Sequence, residues 1–534
     1  MNKKITALIM AFSMLAFTAG CSQQTSGSSA QPTTKASKVV TNLDKPDMSH
    51  WQYNKEYDFY FQLGISYCEK PADTSYEQLS VFVPAAYFST RKNDDGTFSC
   101  KIKDGKGIDN YTAANAPVIM PVQTEGYAAA EPITEEMMAH RADIMEDISE
   151  YTSRGFVYIK AGCRGIEEGA PLGAADLKAA VRYVRYSDDV IPGDAERIFV
   201  FGMSGGGALA SVLGASGNSP LYKPYLDAVG AVEGVSDAVA GTMAWCPVTD
   251  LNTANAEYEW MMGCTRKGRS EEWNKISDKL AYAYADYVNS AGFTGEDGKP
   301  LTLEKSESGI YQAGSYYETV KSEIERSLNN YLSDTRFTDG TAEDYINDLN
   351  DGKKWITYDK NTNTAVITSV EDFVKACKNA SELPVAFDWP GSGNTLFGKS
   401  NGRGAHFDKI LSGILTELNS EYAAEYAADM DKTDDFGTDV ETRVNMYAPL
   451  YYLLKSSGGS GTSEVAKYWR IRSGIEQPTT SLTTELNMAL ALKSCDSVES
   501  VDFETVWEQG HEPVERDGDS TENFISWINK CTNK

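Results

Sequence analysis

The stretch from residue 198 to residue 210 constrains this chain more than any other. It joins a short apolar run, a Gly-x-Ser-x-Gly motif centred on Ser204 and a run of small helix formers. That order predicts a strand, a sharp turn and a helix, and strain at the turn lifts the serine hydroxyl toward a substrate. Flanking glycines are expected because a side chain there would clash where the helix packs back on its strand. The alternative is a glycine-rich turn without chemistry, but the flanks favour a nucleophile.

Buried strands alternate with helices through the first half of the chain. The unbroken apolar run at 116–122 predicts a buried strand, and further strands are predicted at 156–161 and 242–247. A helical stretch is expected over about 134–154, and the spacing of Leu177, Val181 and Val184 predicts a helix over 174–186. Short links between such elements favour an α/β fold with a parallel sheet.

The alternation then stops for nearly two hundred residues, which carry polar loops and amphipathic helical patterns at 270–291, 312–332 and 407–429. It resumes at 465–472 and 498–507, and a closing helix is predicted at 523–529. We therefore predict one α/β domain, formed by residues 50–250 and 441–534, with a helical insertion at 251–440. Insertions at this edge of such sheets commonly cover the binding site.

The N-terminus has the features of an export signal. Lys3 and Lys4 precede an apolar segment at 5–17, which is too short to span a membrane. The following Thr18-Ala19-Gly20-Cys21 is similar to a bacterial lipoprotein cleavage site. We expect a signal peptide at 1–20, a lipid on Cys21 and a flexible tether at 21–49, and hence an extracytoplasmic protein anchored to the cell membrane by lipid alone. The alternative is an ordinary secretory signal with a coincidental cysteine.

The composition of the chain limits the kinds of molecule that it is expected to bind. With 49 basic and 77 acidic residues the net charge is −28, which repels nucleic acid and acidic lipid. No cysteine spacing matches a zinc site, and the acidic run at 429–439 lacks the glycine and glutamate positions of an EF-hand. We therefore expect a small-molecule substrate, no nucleic acid, no metal and no cofactor. The eight cysteines besides Cys21 remain unassigned.

A serine nucleophile needs a base within hydrogen-bond reach, and the chain has only four histidines. The order serine, acid, histidine favours His511, which lies between the last predicted strand and the last helix. His406 falls inside the insertion, while His50 and His140 precede Ser204. His511 is the predicted base.

The acid of such a triad should follow the strand that precedes the histidine's strand. Glu476 is the only carboxylate in the loop 473–480, so it is the predicted acid, with Glu485 and Asp496 less well placed. The backbone N–H of Gly205 is one predicted oxyanion donor. Gly126 or Tyr127, in the loop after the 116–122 strand, supplies the other, although Tyr127 could instead pack against the insertion.

Short motifs from about residue 60 to the end of the chain carry a resemblance. They are Gly64 to Cys68, Tyr76 to Pro84, Cys163-Arg164-Gly165, Gly202 to Gly207, Ala244 to Asp250, Tyr258 to Gly263, Asn394 to Gly398, and Gly510-His511. The chain resembles the bacterial tannase and feruloyl-esterase branch of the α/β-hydrolases, the subtype B tannases. The resemblance implies an α/β-hydrolase fold with a large, mainly helical lid, and hydrolysis of phenolic carboxylic esters.

The chain departs from that family's pattern at four positions. Ser381 stands where the family has a lysine that holds galloyl hydroxyls, and Gly393 stands where it has a glutamate. Gln477 and Thr479 occupy places that usually carry aspartate. We therefore expect an esterase for phenolic or other bulky acyl esters rather than for gallate. A peptidase on the same fold, and a ligand-binding lipoprotein that has lost catalysis, remain the alternatives.

The lipoprotein signal makes a direct prediction. Mass spectrometry of the N-terminal peptide should find diacylglycerol on Cys21, and the protein should partition with the membrane because two acyl chains give stable anchoring. Cys21→Ser is the matched control, and it should release the chain into the soluble fraction. An unmodified, freely secreted mature chain would contradict the assignment.

Overall fold

The protein is seen in a computed structural model that describes residues 38–533, except 106, 264–265, 339, 379–387, 391–395 and 398–405. The predicted signal peptide, Cys21 and most of the tether lie outside the described residues, as do Cys264, Ser381 and Gly393.

The strands, in chain order, are β1 (Gln52–Asn54), β2 (Phe59–Ser66), β3 (Gln78–Pro84), β4 (Phe88–Lys92), β5 (Phe98–Ile102), β6 (Val118–Val122), β7 (Val157–Ala161), β8 (Ile198–Met203), β9 (Gly241–Trp245), β10 (Ile356–Asp359), β11 (Thr364–Ile367), β12 (Tyr468–Gly474) and β13 (Ser500–Val506).

The helices are α1 (Glu135–His140), α2 (Ala142–Thr152), α3 (Leu172–Tyr186), α4 (Gly205–Ala215), α5 (Lys223–Val229), α6 (Leu251–Met262), α7 (Glu271–Ala291), α8 (Ser315–Asp334), α9 (Ala342–Asn350), α10 (Val370–Cys377), α11 (Lys409–Glu417), α12 (Ala423–Met430), α13 (Val440–Met446), α14 (Pro449–Leu453), α15 (Leu482–Lys493) and α16 (Ser520–Thr532). Short 3₁₀ turns occur at Ala85–Tyr87, Glu125–Tyr127 and Pro220–Tyr222.

One mixed sheet organises these elements, with the strand order β1-β2-β3-β7-β6-β8-β9-β12-β13. The pairs from β1 to β7 are antiparallel. All pairs from β7 to β13 are parallel. Because the carboxyl ends of parallel strands share one edge, the loops that follow β6, β8, β9, β12 and β13 lie along the same edge of the sheet.

The central strands are buried on both faces, as their mainly apolar sequences predict. Every residue of β6, β7 and β9 is buried. Every residue of α4 is buried as well, because its small side chains pack closely against β8 and β9. The strands predicted at 116–122, 156–161 and 242–247 are therefore confirmed.

The segment between β9 and β12 is mainly helical, as predicted. It runs from α6 through α14 and contains one antiparallel hairpin, in which Ile356 pairs with Ile367. Contacts join this segment and the sheet in one unit that spans Lys38–Lys534. Helix α13 crosses the predicted boundary at residue 440, and the domain limits themselves stay a prediction.

The structure departs from the sequence expectations in three places. Strands β1 and β2 were not predicted, and the helix expected over about 134–154 is broken into α1 and α2. The break lies at Arg141, whose φ of −117° and ψ of 81° are not helical. The predicted 407–429 helix divides into α11 and α12 around Asn419, whose φ of 52° is left-handed.

Within the described part of the chain, no helix is long and apolar enough to cross a membrane. No disulfide joins the cysteines that the structure describes.

Candidate active site

Ser204 occupies a strained turn between β8 and α4. Its φ is 56° and its ψ is −121°, a conformation that residues other than glycine rarely adopt. The Ser204 N–H donates to the Trp245 carbonyl at 2.9 Å, which fixes the turn against the end of β9. The hydroxyl is thereby held at the carboxyl edge of the sheet.

Glycines make this turn possible because neighbouring backbone segments approach it too closely to leave room for a side chain. A Cβ at Gly206 would lie 2.2 Å from the Val122 carbonyl oxygen, and one at Gly202 would lie 2.5 Å from the Gly206 carbonyl carbon. Real side chains do not approach so closely, so both positions require glycine. The structural reason predicted for the flanking glycines is confirmed.

His511 lies in the loop after β13 and faces the serine. Its Nε2 is 2.9 Å from the Ser204 Oγ. Burial lowers the pKa of His511, which keeps the imidazole neutral at pH 7 and able to accept a proton. The structure thus brings together the predicted nucleophile and the predicted base, although they are 307 residues apart in the chain.

The histidine loop is held by close backbone contacts with its neighbours. A Cβ at Gly474 would lie 2.0 Å from the Gly510 carbonyl oxygen, so the end of β12 touches this loop directly. The Cys246 thiol donates to the Glu512 carbonyl at 3.5 Å, and the Glu476 N–H donates to the Gln509 carbonyl at 3.1 Å. These contacts set the position of His511 relative to the loop after β12.

The side chain opposite the second imidazole nitrogen is Gln477, not the predicted Glu476. The Oε1 of Gln477 lies 3.3 Å from the His511 Nδ1. Glu476 lies one residue earlier, in a turn in which the Gln477 N–H donates to the Gly474 carbonyl at 3.2 Å. Burial and nearby Glu508 raise the pKa of Glu476, and Lys378 lowers it. The predicted geometry for Glu476 therefore needs correction: an amide, not a carboxylate, faces His511.

Hydrogen bonds fix which end of the Gln477 amide faces the histidine. The backbone N–H groups of Thr479 and Thr480 donate to the Gln477 Oε1, at 3.0 Å and 3.2 Å. The Gln477 Nε2 donates to the Thr480 hydroxyl and to the Oε1 of Glu485. Because N–H donors converge on Oε1, that atom is the oxygen, and it accepts from the His511 Nδ1–H.

A buried pair of ionisable groups lies behind this amide. Glu485, in the first turn of α15, is fully buried, and Lys378, which directly follows α10, is 3 % exposed. Lys378 Nζ donates to the Gln477 backbone carbonyl at 2.6 Å. Burial raises the pKa of Glu485 to about 7 and lowers that of Lys378 to about 8.

The predicted oxyanion donors lie next to Ser204. Gly205 is the first residue of α4, where an N–H has no partner within its own helix. A Cβ at Gly205 would lie 2.7 Å from the Tyr127 nitrogen, so the 3₁₀ turn Glu125–Tyr127 meets the nucleophile turn directly. The Tyr127 N–H donates to the Thr124 carbonyl at 2.8 Å, and its hydroxyl donates to the Val248 carbonyl at 2.7 Å. Gly126 is exposed, and the oxyanion role of this turn stays a prediction.

The other histidines are engaged elsewhere. His406 is buried in the insertion, where its Nδ1 lies 2.6 Å from Asp388 and its ring stacks on Tyr426. His50 is exposed and pairs with Asp47 at 2.7 Å, and His140 is exposed at the end of α1.

Among the residues that the structure describes, no group of three or more His, Cys, Asp or Glu side chains is arranged to hold a metal ion.

Gln477 is the site residue that the sequence reasoning missed, and Glu485 is one that it ranked below Glu476. Gln477 stands at a position where the resembled family carries aspartate, and that was the available signal. Its side chain is an uncharged amide, so the residue did not qualify as the acid of a triad. Glu485 was set aside because it lies in a helix, beyond the loop. Only the turn of α15 beneath Gln477 brings the two side chains to 3.3 Å.

Two comparisons with known proteins bear on this site. A family model described as BD-FAE, an α/β-hydrolase domain of feruloyl esterase type, matches residues 109–292, which include Ser204. The comparison with curated proteins gave no match.

Solved tannase structures match most of the chain. The tannin acyl hydrolase from Lactobacillus plantarum is 26% identical, with a TM-score of 0.66 over 88% of this chain and 94% of that one. The tannase from Fusobacterium nucleatum is also 26% identical, with a TM-score of 0.65 over 89% of this chain and 95% of that one. A tannin acyl hydrolase in complex with ethyl gallate matches at 26% identity and a TM-score of 0.66, over 89% of this chain and 94% of that one.

The placement of Gln477 predicts a contrast between two neighbouring residues. Gln477→Leu removes the acceptor for the His511 Nδ1–H and should lower kcat for ester hydrolysis by about 10²-fold or more. Glu476→Gln should change kcat by less than about twofold, because its carboxyl does not contact the imidazole. Steady-state kinetics of the two variants at matched pH, with melting curves as the folding control, decide between them. A steep loss in Glu476→Gln and none in Gln477→Leu would restore the original assignment.

Proposed function

Because this chain is a tannase-like α/β-hydrolase of the esterase type, we propose that it is a serine carboxylic-ester hydrolase. The observation that carries the proposal is the 2.9 Å contact between the Ser204 Oγ and the His511 Nε2. The strained turn at Ser204 and the lowered pKa of His511 support it, since they present a hydroxyl to a neutral base.

In the proposed acylation step, the Ser204 oxygen attacks the ester carbonyl and its proton passes to the His511 Nε2. The Nδ1–H of the resulting imidazolium donates to the Gln477 Oε1. The Gly205 N–H stabilises the negative charge on the carbonyl oxygen, together with the turn at Gly126 and Tyr127. Collapse of this intermediate expels the alcohol, which takes the proton from Nε2.

Deacylation follows the same route with water as the nucleophile. His511, neutral again, removes a proton from water as it attacks the acyl-enzyme. The proton then returns to the Ser204 oxygen as the acid leaves. The neutral imidazole that burial favours is the form that both half-reactions require.

The proposed substrates are phenolic or other bulky acyl esters. The similar tannin acyl hydrolases were solved with ethyl gallate and with 3,4-dihydroxybenzoate. In this chain Ser381 and Gly393 stand where the resembled family carries the lysine and the glutamate that hold galloyl hydroxyls, which argues against gallate.

The insertion is proposed to shape the acyl site. The Tyr258 hydroxyl of α6 donates to the Pro478 carbonyl at 3.1 Å, which ties the insertion to the residue after Gln477. Trp273 and Trp389 stack with ring centroids 5.1 Å apart, and the Arg269 guanidinium lies 4.9 Å from the Trp389 ring. Trp389 is 3 % exposed, so this cluster packs within the insertion and supports its shape.

The proposed location is outside the cytoplasm, on the membrane, through a lipid on Cys21. This proposal is supported by the sequence of residues 3–21 alone, which lie outside the described residues.

Substitution of the nucleophile tests the reaction class. Ser204→Ala should lower kcat by about 10⁴-fold or more, with the melting temperature unchanged, because it removes the attacking oxygen. A fluorophosphonate probe should label the wild-type protein on Ser204 and leave the variant unlabelled, since only an activated serine reacts.

A wild-type protein that is folded yet neither labelled nor active on esters would favour the catalytically inactive binder. Labelling together with cleavage of peptides but not esters would favour the peptidase. Retained turnover in purified Ser204→Ala would remove Ser204 from the mechanism.

A panel of methyl esters that share one alcohol tests the acyl preference. Unhydroxylated or singly hydroxylated aromatic acyl groups should be cleaved with a kcat/KM about tenfold or more above that of methyl gallate, because the charged partners for galloyl hydroxyls are missing. Methyl acetate is the control for acyl bulk. A gallate preference equal to or above the others would contradict the proposed substrate class.

A further inference from the structure

We propose that Glu485 is a positioning residue that acts on His511 through the Gln477 amide, so that the amide and the buried carboxylate together replace the usual triad acid. The proposal rests on the proposed function, since it assigns a role within the same reaction. Its starting observation is a continuous set of hydrogen bonds from Ser204 to Glu485.

The set of hydrogen bonds has a single direction. The His511 Nδ1–H donates to the Gln477 Oε1 at 3.3 Å, and the Gln477 Nε2–H donates to the Glu485 Oε1 at 3.3 Å. A second route joins the same groups, because the Gln477 Nε2 donates to the Thr480 hydroxyl, which donates to Glu485 at 2.8 Å. An amide is an acceptor at one end and a donor at the other, so it transmits polarisation without moving a proton.

The amide alone would leave part of the acid's role unfilled. Gln477 can hold the imidazole in its productive tautomer, but it carries no charge to stabilise the imidazolium that forms when Nε2 takes the serine proton. A carboxylate bonded to the far end of the amide supplies that charge, and it increases the negative partial charge on Oε1. Gln477 is 1 % exposed and Glu485 is fully buried, so water screens this effect little.

The surroundings of Glu485 hold its carboxylate toward Gln477. The Ser473 hydroxyl donates to the same Oε1 at 3.2 Å, while the Oε2 has no hydrogen-bond partner among the described residues. The charged and titratable groups that face this carboxyl are Lys378, Cys246 and, through Gln477, His511. Lys378 favours the ionised form and also binds the Gln477 carbonyl, which keeps the loop over the carboxylate.

A capping role for Glu485 is the simpler alternative. Acidic side chains are common in the first turn of a helix, and Glu485 occupies that place in α15. Capping explains an acid at this position, but it does not explain why the acid binds the amide that faces the imidazole. The two roles differ in what they change: capping affects stability, and positioning affects kcat and its dependence on pH.

The pH dependence gives the first readout. Burial raises the pKa of Glu485 to about 7 and lowers that of His511 below its usual value. Above its pKa the carboxyl is charged, so kcat should rise as the pH passes through about 7, where His511 is already neutral. In Glu485→Gln this inflection should be absent and the profile should follow His511 alone, at lower pH.

The isosteric variant gives the second readout. Glu485→Gln should lower kcat by about tenfold or more while KM changes by less than about twofold. The matched control is Glu257→Gln in α6. Glu257 is buried and accepts hydrogen bonds from Thr483 and Thr484 of α15, the helix that carries Glu485, but it does not contact Gln477. That control should leave both kcat and the inflection near those of the wild type. Equal kcat losses in the two variants, with equal losses of melting temperature, would overturn the proposal.

A double-mutant cycle tests whether Glu485 acts through Gln477. In a Gln477→Leu background, Glu485→Gln should lower kcat by less than about twofold further, because the route to the imidazole is already broken. Losses that multiply in the double variant would overturn the proposal.

The exchange of the two side chains is a rescue test. The variant Gln477→Glu with Glu485→Gln keeps the same groups and places the carboxylate against the His511 Nδ1. Its kcat should exceed that of Glu485→Gln by about tenfold or more. A further loss in this folded variant would overturn the proposal. Fluorophosphonate labelling of the wild type, lost in Ser204→Ala, shows separately whether the serine reaction itself holds.

Discussion

The close approach of four backbone segments at the carboxyl edge of the sheet is the constraint on which the rest of the site depends. Gly206 packs against the Val122 carbonyl, and Gly474 packs against the Gly510 carbonyl, at distances that exclude any side chain. These contacts bring the loops after β6, β8, β12 and β13 within reach of one another. The left-handed conformation of Ser204 and the 2.9 Å contact with His511 follow from that closeness. The strain at one residue is stable because the surrounding strands and α4 are buried.

An amide in place of a carboxylate changes the electrostatics of this arrangement. A carboxylate beside the imidazole orients it and stabilises its charge at once. Here the two tasks fall on different residues: Gln477 contacts the ring, and Glu485 carries the charge one side chain farther away. Such a division needs a dry environment, because water around the amide would screen a remote charge. Lys378 belongs to the insertion, and its ammonium group binds the Gln477 backbone carbonyl. The insertion therefore helps to hold the loop that contacts His511.

The sequence predicted the central elements well and the edge elements poorly. Strands β6, β7 and β9 are buried throughout, so their sequences are mainly apolar and easy to recognise. Strand β2 has a mixed burial pattern near the edge of the sheet, and its residues lack both a clear alternation and a continuous run. The long helical patterns at α7 and α8 were visible, whereas the breaks at Arg141 and Asn419 depend on backbone geometry that no simple periodicity records.

The sequence by itself located the proposed nucleophile and the proposed base, because a Gly-x-Ser-x-Gly motif between a strand and a helix is specific and few histidines are available. It also determined that a loop after the penultimate strand should face the imidazole. Only the tertiary structure decided which side chain of that loop does so, since the turn at 474–477 sends adjacent side chains in different directions. The same holds for Glu485, which reaches Gln477 only because α15 folds back beneath the loop. A position along the chain gives the order of the groups, but hydrogen-bond distances are set by packing between segments that are far apart in sequence.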